Sequence, residues 1–135
     1  MFSFNIPLDF MKALSLASNI INFFELEEGS EVLHLVIQNN LNESNIQFTS
    51  HTTCHKNSLF NQLIFNTSDV SLRNHHYANL IGEHSEANLK GIFFAGKKQI
   101  IDNKTNINHL NHSCLSNQTY KGILTDNAKA SYLSK

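Results

Sequence analysis

Short segments that alternate apolar and polar residues with a period of two run from Val32 to the end of the chain. In the segment DVSLRN, Val70 and Leu72 share one face, and Ser71 and Arg73 share the other. Asn, Ser, Asp or Gly stands in most of the gaps between the segments, which is typical of half-buried strands joined by tight turns. The sequence therefore predicts a mainly β protein.

The gaps between the predicted strands restrict how the strands can be connected. None contains a helical pattern of about 10 to 15 residues, so alternating βαβ units are not expected. A β-sandwich, a β-barrel and a β-solenoid remain. Asparagine tolerates the left-handed backbone conformation at solenoid corners, and the chain has 19 asparagines. Although no strict short repeat is visible, the residues alone favour the solenoid.

The N-terminal 24 residues have a different pattern. Residues 10–24 carry apolar residues at spacings that loosely suit an amphipathic helix, although the β-rich sequence that follows makes a pair of strands an alternative. A turn centred on Gly29 comes next. We therefore expect residues 1–24 to be a separate segment that a helix would suit, and residues 25–135 to form the β core.

Composition limits the partners and the compartment. Lys plus Arg is 10 and Asp plus Glu is 11, with Arg73 the only arginine, which excludes the clustered cations of a nucleic-acid or polybasic membrane surface. The start of the chain carries Asp9 and Lys12 before its apolar run and lacks the basic beginning of a secretion signal. The run is also shorter than the roughly 18 to 20 residues that a membrane span needs. We expect a cytoplasmic protein.

The two cysteines and the sequons do not change that expectation. Cys54 and Cys114 are too few for a disulfide framework and are expected to be free thiols. Five Asn-x-Ser/Thr sequons occur, close to the roughly three that the Asn, Ser and Thr content gives by chance.

The stretch DNKTNINHLNHSCLSNQTYKGIL, residues 102–124, is the densest group of candidate functional residues. Asp102, His109, His112 and Cys114 are residue types that bind zinc. In an extended strand, however, His112 and Cys114 would face away from His109, and no second ligand pair is present. Cys114 beside a histidine also suits a thiol nucleophile and its base, but no oxyanion-hole signature accompanies it. Hydrogen-bonded polar residues on a β surface are the remaining interpretation.

Two adjacent pairs elsewhere carry similar residue types. On strands, the members of His75–His76 and of Cys54–His55 point to opposite faces. We therefore expect these pairs to be exposed polar positions and not sites.

The order of residues in the 102–124 stretch resembles the SufB/SufD family of iron–sulfur cluster assembly scaffolds, and the SufD version in particular. SufD-like chains show Asp-Asn-x-Thr, a His four residues later, Pro-x-Cys-x-Ser and then Tyr-Lys-Gly. The matching residues here are Asp102, Asn103, Thr105, His109, Cys114, Ser116, Tyr120, Lys121 and Gly122. Upstream, the family's Leu-x-Gly-Glu and Leu-x-Gly elements are matched by Leu80, Gly82, Glu83, Leu89 and Gly91.

The resemblance implies a right-handed parallel β-helix and a non-enzymatic scaffold subunit with no catalytic residues. It implies a SufB-like partner subunit, a SufC-like ATPase, and an iron–sulfur cluster held transiently by the complex and not stably by this chain. The nine matching residues are expected to be structural. On a β-helix, Asp102, Asn103 and Thr105 would lie at strand ends and satisfy backbone groups near corners, and Tyr120 and Lys121 would cover the next rung. His109 and Cys114 are retained as the candidates for metal handling.

Two departures from the family pattern are visible. The family proline two positions before the cysteine is His112 here, so His112 is interpreted as a substitution and not as a ligand. The family's later Cys-x-His segment and helical region are not in the sequence, which suggests a truncated or partial copy. Because each rung of a solenoid is buried only by its neighbours, such a chain is expected to be marginally stable or to self-associate.

Two other functions remain open from the residues alone. One is a small metal- or thiol-dependent enzyme that uses His109 and Cys114. The other is a secreted β-solenoid that acts as an adhesin or binds carbohydrate.

Overall fold

The computed structural model describes residues 17–39 and 45–135, and these residues form nine strands and no helix. In chain order the strands are β1 (Ala17–Leu26), β2 (Glu31–Gln38), β3 (Asn45–Cys54), β4 (Leu59–Asn66), β5 (Leu72–Leu80), β6 (Glu86–Ala95), β7 (Ile100–His109), β8 (Leu115–Leu124) and β9 (Lys129–Ser134). The predicted mainly β architecture is confirmed.

The strands form two parallel sheets that are wound as a β-solenoid. The odd-numbered strands make a five-stranded sheet in the order β1-β3-β5-β7-β9, and the even-numbered strands make a four-stranded sheet in the order β2-β4-β6-β8. Each strand pairs with the strand two further along the chain. The offset between paired residues is 28 for Ala17 and Asn45, 26 for Ile46 and Leu72, and 29 for Ile100 and Lys129. This variation explains why no strict repeat is visible in the sequence.

Left-handed residues turn the chain at the corners between the two sheets. At the corner that leads from the five-stranded into the four-stranded sheet, φ is positive at Gly29 (71°), Asn57 (56°), His84 (58°) and Ser113 (59°). Only one of these four residues is asparagine. The expectation that corner conformations account for the high asparagine content is therefore wrong.

Many asparagines instead form hydrogen-bonded ladders along the solenoid axis. Asn88 Nδ2 donates to Asn61 Oδ1 at 3.0 Å and Asn108 Nδ2 donates to Asn79 Oδ1 at 2.8 Å, both on outer faces. Inside the solenoid, Asn74 Nδ2 donates to Asn103 Oδ1 at 3.0 Å. Identical side chains on neighbouring parallel strands stack in register, which is the geometry that favours amide ladders.

Apolar side chains from both sheets fill the interior next to the corner that leads from the five-stranded into the four-stranded sheet. The cluster comprises Leu26, Cys54, Phe60, Ala78, Leu80, Ala87, Leu89 and Ile107. A second, smaller cluster of Ile46, Val70 and Leu72 lies near the opposite corner. The alternation predicted for Val70 and Leu72 against Ser71 and Arg73 is confirmed, because the first two side chains are buried and the last two are not.

The helix considered for residues 10–24 is wrong for residues 17–24, which belong to β1; residues 10–16 lie outside the described part of the chain. Ile20 and Phe24 are partly buried while Ile21 and Phe23 are exposed, so the apolar run covers both faces of a strand. β1 also runs across the boundary expected between residues 24 and 25. Hydrogen bonding to β3 along the whole of β1 outweighs the loose helical spacing.

Candidate functional site

The 102–124 stretch occupies most of one turn of the solenoid: β7, the corner at residues 110–114, and β8. Its strands lie against β5 and β6 of the preceding turn, and β9 lies against β7 on the other side. The candidate residues are therefore distributed over both sheets and one corner.

Asp102, Asn103 and Thr105 lie within β7 and not at its ends, so the expected strand-end position is wrong. Asn103 and Thr105 point inward and are buried. Asp102 points outward, where it accepts a hydrogen bond from Ser131 Oγ at 2.6 Å and lies 3.4 Å from the Arg73 guanidinium. All three make contacts between neighbouring strands, since their side chains meet those of β5 or β9.

Thr105 belongs to a group of hydroxyls around one amide oxygen. Thr105 Oγ1, Tyr132 Oη and Ser134 Oγ all donate to Gln118 Oε1, from Tyr132 at 2.9 Å and from Ser134 at 3.0 Å. Gln118 lies on the facing sheet, so this group ties β8 to β7 and β9 across the interior.

Cys114 occupies a position that serine occupies in each of the three preceding turns. Ser30, Ser58 and Ser85 each follow the left-handed corner residue and donate from Oγ to the carbonyl three residues earlier, at 2.7 Å in all three cases. Cys114 follows the left-handed Ser113 in the same way.

The surroundings of the Cys114 sulfur are carbonyls and a hydroxyl. The sulfur lies 3.3 Å from the carbonyl oxygen of Gly82 and 3.5 Å from Ser85 Oγ. Neither histidine nitrogen of the stretch is among its hydrogen-bond partners. The arrangement therefore lacks the thiol–imidazole pair that an activated cysteine requires.

The two histidines of the stretch point to other partners. His109 Nε2 lies 2.9 Å from Ser116 Oγ. His112 is largely exposed, and its Nε2 lies 3.1 Å from Glu83 Oε1. Within residues 17–39 and 45–135, no group of three His, Cys, Asp or Glu side chains is placed to hold a metal ion. The structure does not bring Asp102, His109, His112 and Cys114 together.

Tyr120 and Gly122 fit reciprocally against β6. Tyr120 pairs with Gly91, and Gly122 pairs with Phe93 two residues further on. A Cβ atom on Gly91 would collide with the Tyr120 ring, and one on Gly122 would collide with the Phe93 ring. Each ring thus fills the space that the opposite glycine leaves, and burial raises the pKa of the Tyr120 hydroxyl well above its usual range. Lys121, between them, is exposed.

Sequence reasoning missed a polar seam inside the solenoid, formed by His34, Ser50, Gln62 and His76. Gln62 Nε2 lies 2.9 Å from His34 Nδ1, and Ser50 Oγ lies 2.7 Å from His76 Nδ1. Gln62 and Ser50 approach each other across the interior at 3.4 Å. His76 was expected to be exposed and is instead only 1% exposed; His75 is the outward member of the pair.

Burial controls the protonation of these histidines. It lowers the pKa of His76 to about 3 and that of His34 to about 4, because the charged imidazolium would lose its hydration. His76 Nε2 has no hydrogen-bond partner among the described residues. The alternation of side chains along the strand predicts that His76 points inward. It does not predict which residues on other strands His76 contacts.

Cys54 and His55 point to opposite sides as predicted, but the expected exposure of Cys54 is wrong. Cys54 is fully buried, and burial raises its pKa to about 11, whereas His55 is partly exposed and lies 2.6 Å from Glu25. Cys54 and Cys114 are not joined by a disulfide. A thiol held in this way is a packing group and not a nucleophile.

No helix in the described part of the chain is long and apolar enough to cross a membrane.

The family model described as SUF system FeS cluster assembly, SufBD core domain, matches residues 9–135. Comparison with curated proteins and with solved structures gives no match.

Proposed function

The chain belongs to the SufBD core family of the SUF iron–sulfur cluster assembly system, and from that membership we propose that it is a non-enzymatic, SufD-like scaffold subunit. The family model covers nearly the whole chain, and this match is the observation that carries the proposal. A role in iron–sulfur cluster assembly follows from the family itself. The SufD type, the scaffold role and the partners go beyond family membership and are what we propose.

The SufD assignment is supported by the ordered residues from Asp102 to Gly122, which resemble the SufD version of this segment more than the Ser- and Gly-rich SufB version. The scaffold role is supported by the geometry of those residues. They pack strands together, close a corner and fill glycine gaps, and Cys114 has hydrogen-bond partners that would not activate it. These contacts suit residues that stabilise the fold and not residues that carry out a reaction.

The partners in this proposal are a SufB-like subunit and a SufC-like ATPase in the cytoplasm. The cluster is cargo of the complex, held transiently with the SufB-like subunit and not stably by this chain. The complex would draw its energy from the ATPase, since no phosphate-binding loop is found in this sequence.

Co-purification tests the proposal. The tagged full chain is expressed with SufB-like, SufD-like and SufC-like proteins from its source, and the bound subunits are identified by mass spectrometry. We expect the SufB-like subunit to be retained in preference to the SufD-like subunit, with the ATPase present in the same complex. Preference for the SufD-like subunit would assign the chain to the SufB type instead. Retention of none of the three would contradict a role in this complex.

A further inference from the structure

The outer face of the four-stranded sheet carries a continuous apolar surface. We call this surface the apolar face; its outward side chains are Leu33, Leu35, Ile37, Leu63, Phe65, Ile92, Phe94 and Ile123. Strand register places Ile37, Phe65 and Ile92 side by side, and Phe94 next to Ile123. Ile37 is 59% exposed, Phe94 42% and Ile123 58%. Large contiguous apolar surfaces of this kind are uncommon on isolated proteins and mark sites of association.

The outer face of the five-stranded sheet shows that this pattern is not a general property of the solenoid. Its middle turns carry Gln47, Arg73, His75, Asp102 and Lys104. Arg73 and His75 both approach the Asp102 carboxylate there, at 3.4 and 3.9 Å. Among the described residues, exposed apolar side chains on this face are limited to Ile21 and Phe23 on β1, Ile100 on β7 and Leu133 on β9, and its middle is polar. The outer face of the four-stranded sheet instead carries apolar side chains on all four strands.

Parallel sheets with apolar residues on both faces are normally covered on both sides, most often by helices. The inner face of the four-stranded sheet is covered by the solenoid interior, and its outer face lacks such a layer among the described residues. Part of the surface is preorganised, since the Phe65 and Phe94 rings pack edge to face with centroids 6.2 Å apart. A rigid aromatic pair of this type is a suitable anchor point for a partner.

Two lysines indicate the charge of the partner. Lys90 takes the outward position next to Leu63, and Lys121 takes the position next to Ile92. Both are exposed, and neither has a carboxylate within 4 Å in the described residues. Asn61, Asn88 and Glu86 form a hydrogen-bonded polar border on the side where the strands begin. An apolar centre with a polar border is the usual anatomy of a protein interface.

We propose that the apolar face binds an amphipathic helix of a partner protein, with the apolar stripe of the helix on Ile37, Phe65 and Ile92 and acidic residues beside Lys90 and Lys121. A helix is favoured over a strand because this surface offers side chains and not the free backbone groups of a sheet edge. The acidic character follows from the two unpaired lysines, whose charges a complementary partner would neutralise. This inference goes beyond the assembly role and does not depend on it.

A pair of designed peptides tests the proposal on the full 135-residue chain. Each peptide is a helix of about 18 residues with leucines at positions i, i+3, i+4 and i+7. One has glutamates on both sides of the leucine stripe, and its twin has lysines at the same positions. Binding is measured by fluorescence anisotropy at low and at physiological salt, because salt screens exposed charges.

The double variant Lys90→Glu/Lys121→Glu is compared with Lys104→Glu/Lys129→Glu, which makes the same charge change on the outer face of the other sheet. We expect the unmodified chain to bind the glutamate peptide at least about tenfold more tightly than the lysine peptide. The first variant should reverse this preference, and the second should keep it. Circular dichroism verifies that both variants retain the β fold.

Three results would overturn the proposal. The first is equal affinity for the two peptides, or an equal loss in both double variants. The second is a homodimer in sedimentation that Ile92→Asn separates, which would make a second copy the occupant. The third is peptide binding that occurs only after residues 1–16 are deleted, which would make the chain's own N-terminal segment the occupant.

Discussion

Cys114 illustrates how a potentially reactive residue can serve as architecture. It stands where Ser30, Ser58 and Ser85 stand in the preceding turns, with its sulfur directed at the Gly82 carbonyl. A thiol is a weak donor of about the same shape as a hydroxyl, so the corner tolerates either. A cysteine within six residues of two histidines makes a metal or thiol site one candidate interpretation, which strand alternation and the lack of a second ligand pair already disfavour. The serines at the equivalent position of the earlier turns explain it, and recognising them requires the offsets of 27 to 29 residues between turns.

Gly91 and Gly122 provide the first prediction. Alanine at either position places a methyl group against a packed ring, of Tyr120 or of Phe93. Overpacking of this kind typically costs about 1–3 kcal/mol. We expect Gly91→Ala and Gly122→Ala to lower the free energy of unfolding by that amount, measured by urea titration. Lys121→Ala, between the two contacts, is the control and should change it by less than about 0.5 kcal/mol; equal effects at all three positions would refute the packing explanation.

Inside the solenoid, neighbouring strands are joined by hydrogen bonds between buried polar side chains as well as by apolar packing. Gln38 Nε2 donates to Asn74 Oδ1, and Asn74 Nδ2 donates to Asn103 Oδ1, so one buried side chain is hydrogen-bonded to two others. The alternation of residues predicted which positions face inward. It did not predict that the inward polar residues would meet one another, because a contact between neighbouring turns depends on strand register. That register varies with corner length.

Asn74 provides the second prediction. Asn74→Ala leaves Gln38 Nε2 and Asn103 Oδ1 buried without these partners, at a cost of about 1–3 kcal/mol for each group. Asn79→Ala breaks a ladder of the same kind that is exposed, and water replaces the lost bond. We expect a large decrease in urea midpoint for Asn74→Ala and a decrease equivalent to less than about 0.5 kcal/mol for Asn79→Ala. Similar decreases would show that burial does not set the strength of these ladders.

The buried histidines provide the third prediction, a loss of stability in mild acid. In the folded chain the pKa of His76 is about 3 and that of His34 is about 4, whereas the unfolded chain binds these protons near pH 6.5. Below about pH 6.5 the unfolded state therefore holds more protons, and the free energy of unfolding falls as the pH falls.

Each histidine that stays neutral contributes up to about 1.4 kcal/mol per pH unit, and the half-buried His34 contributes less than His76. Urea titrations from about pH 7.5 to 4.5 measure the slope. His76→Asn, which can retain a hydrogen bond to Ser50, should reduce the slope by nearly one proton. An unaltered slope in His76→Asn would mean that His76 is not buried as described.

At the scale of the whole molecule, the fold is a stack in which each turn contacts the turns beside it. Such solenoids have stabilities that approximate a sum over neighbouring units. β5 pairs with a strand on both sides, β3 and β7, whereas β9 pairs only with β7 among the described strands. The solenoid class was predictable from the short alternating segments and the lack of helical gaps, but the numbers of strands in each sheet were not.

Hydrogen exchange of the full chain provides the fourth prediction. Amides of β5 and β6 should exchange slowest, and those of β9 should exchange fastest among the strands, because local opening follows local packing. Mass spectrometry of peptides from β6 and β9 gives the comparison directly. Uniform protection from β1 to β9 would contradict a stack with separable turns.

The central claim is that the residues from Asp102 to Gly122 are the frame of an assembly scaffold and not its chemistry. The most direct test is Cys114→Ser in the complex with the SufB-like and SufC-like subunits, with bound iron measured by mass spectrometry. We predict the same recovery of partners and the same iron content as for the unmodified chain, because serine already occupies this corner position at Ser30, Ser58 and Ser85. A complex that assembles normally but loses its iron would contradict the claim and make Cys114 a functional ligand.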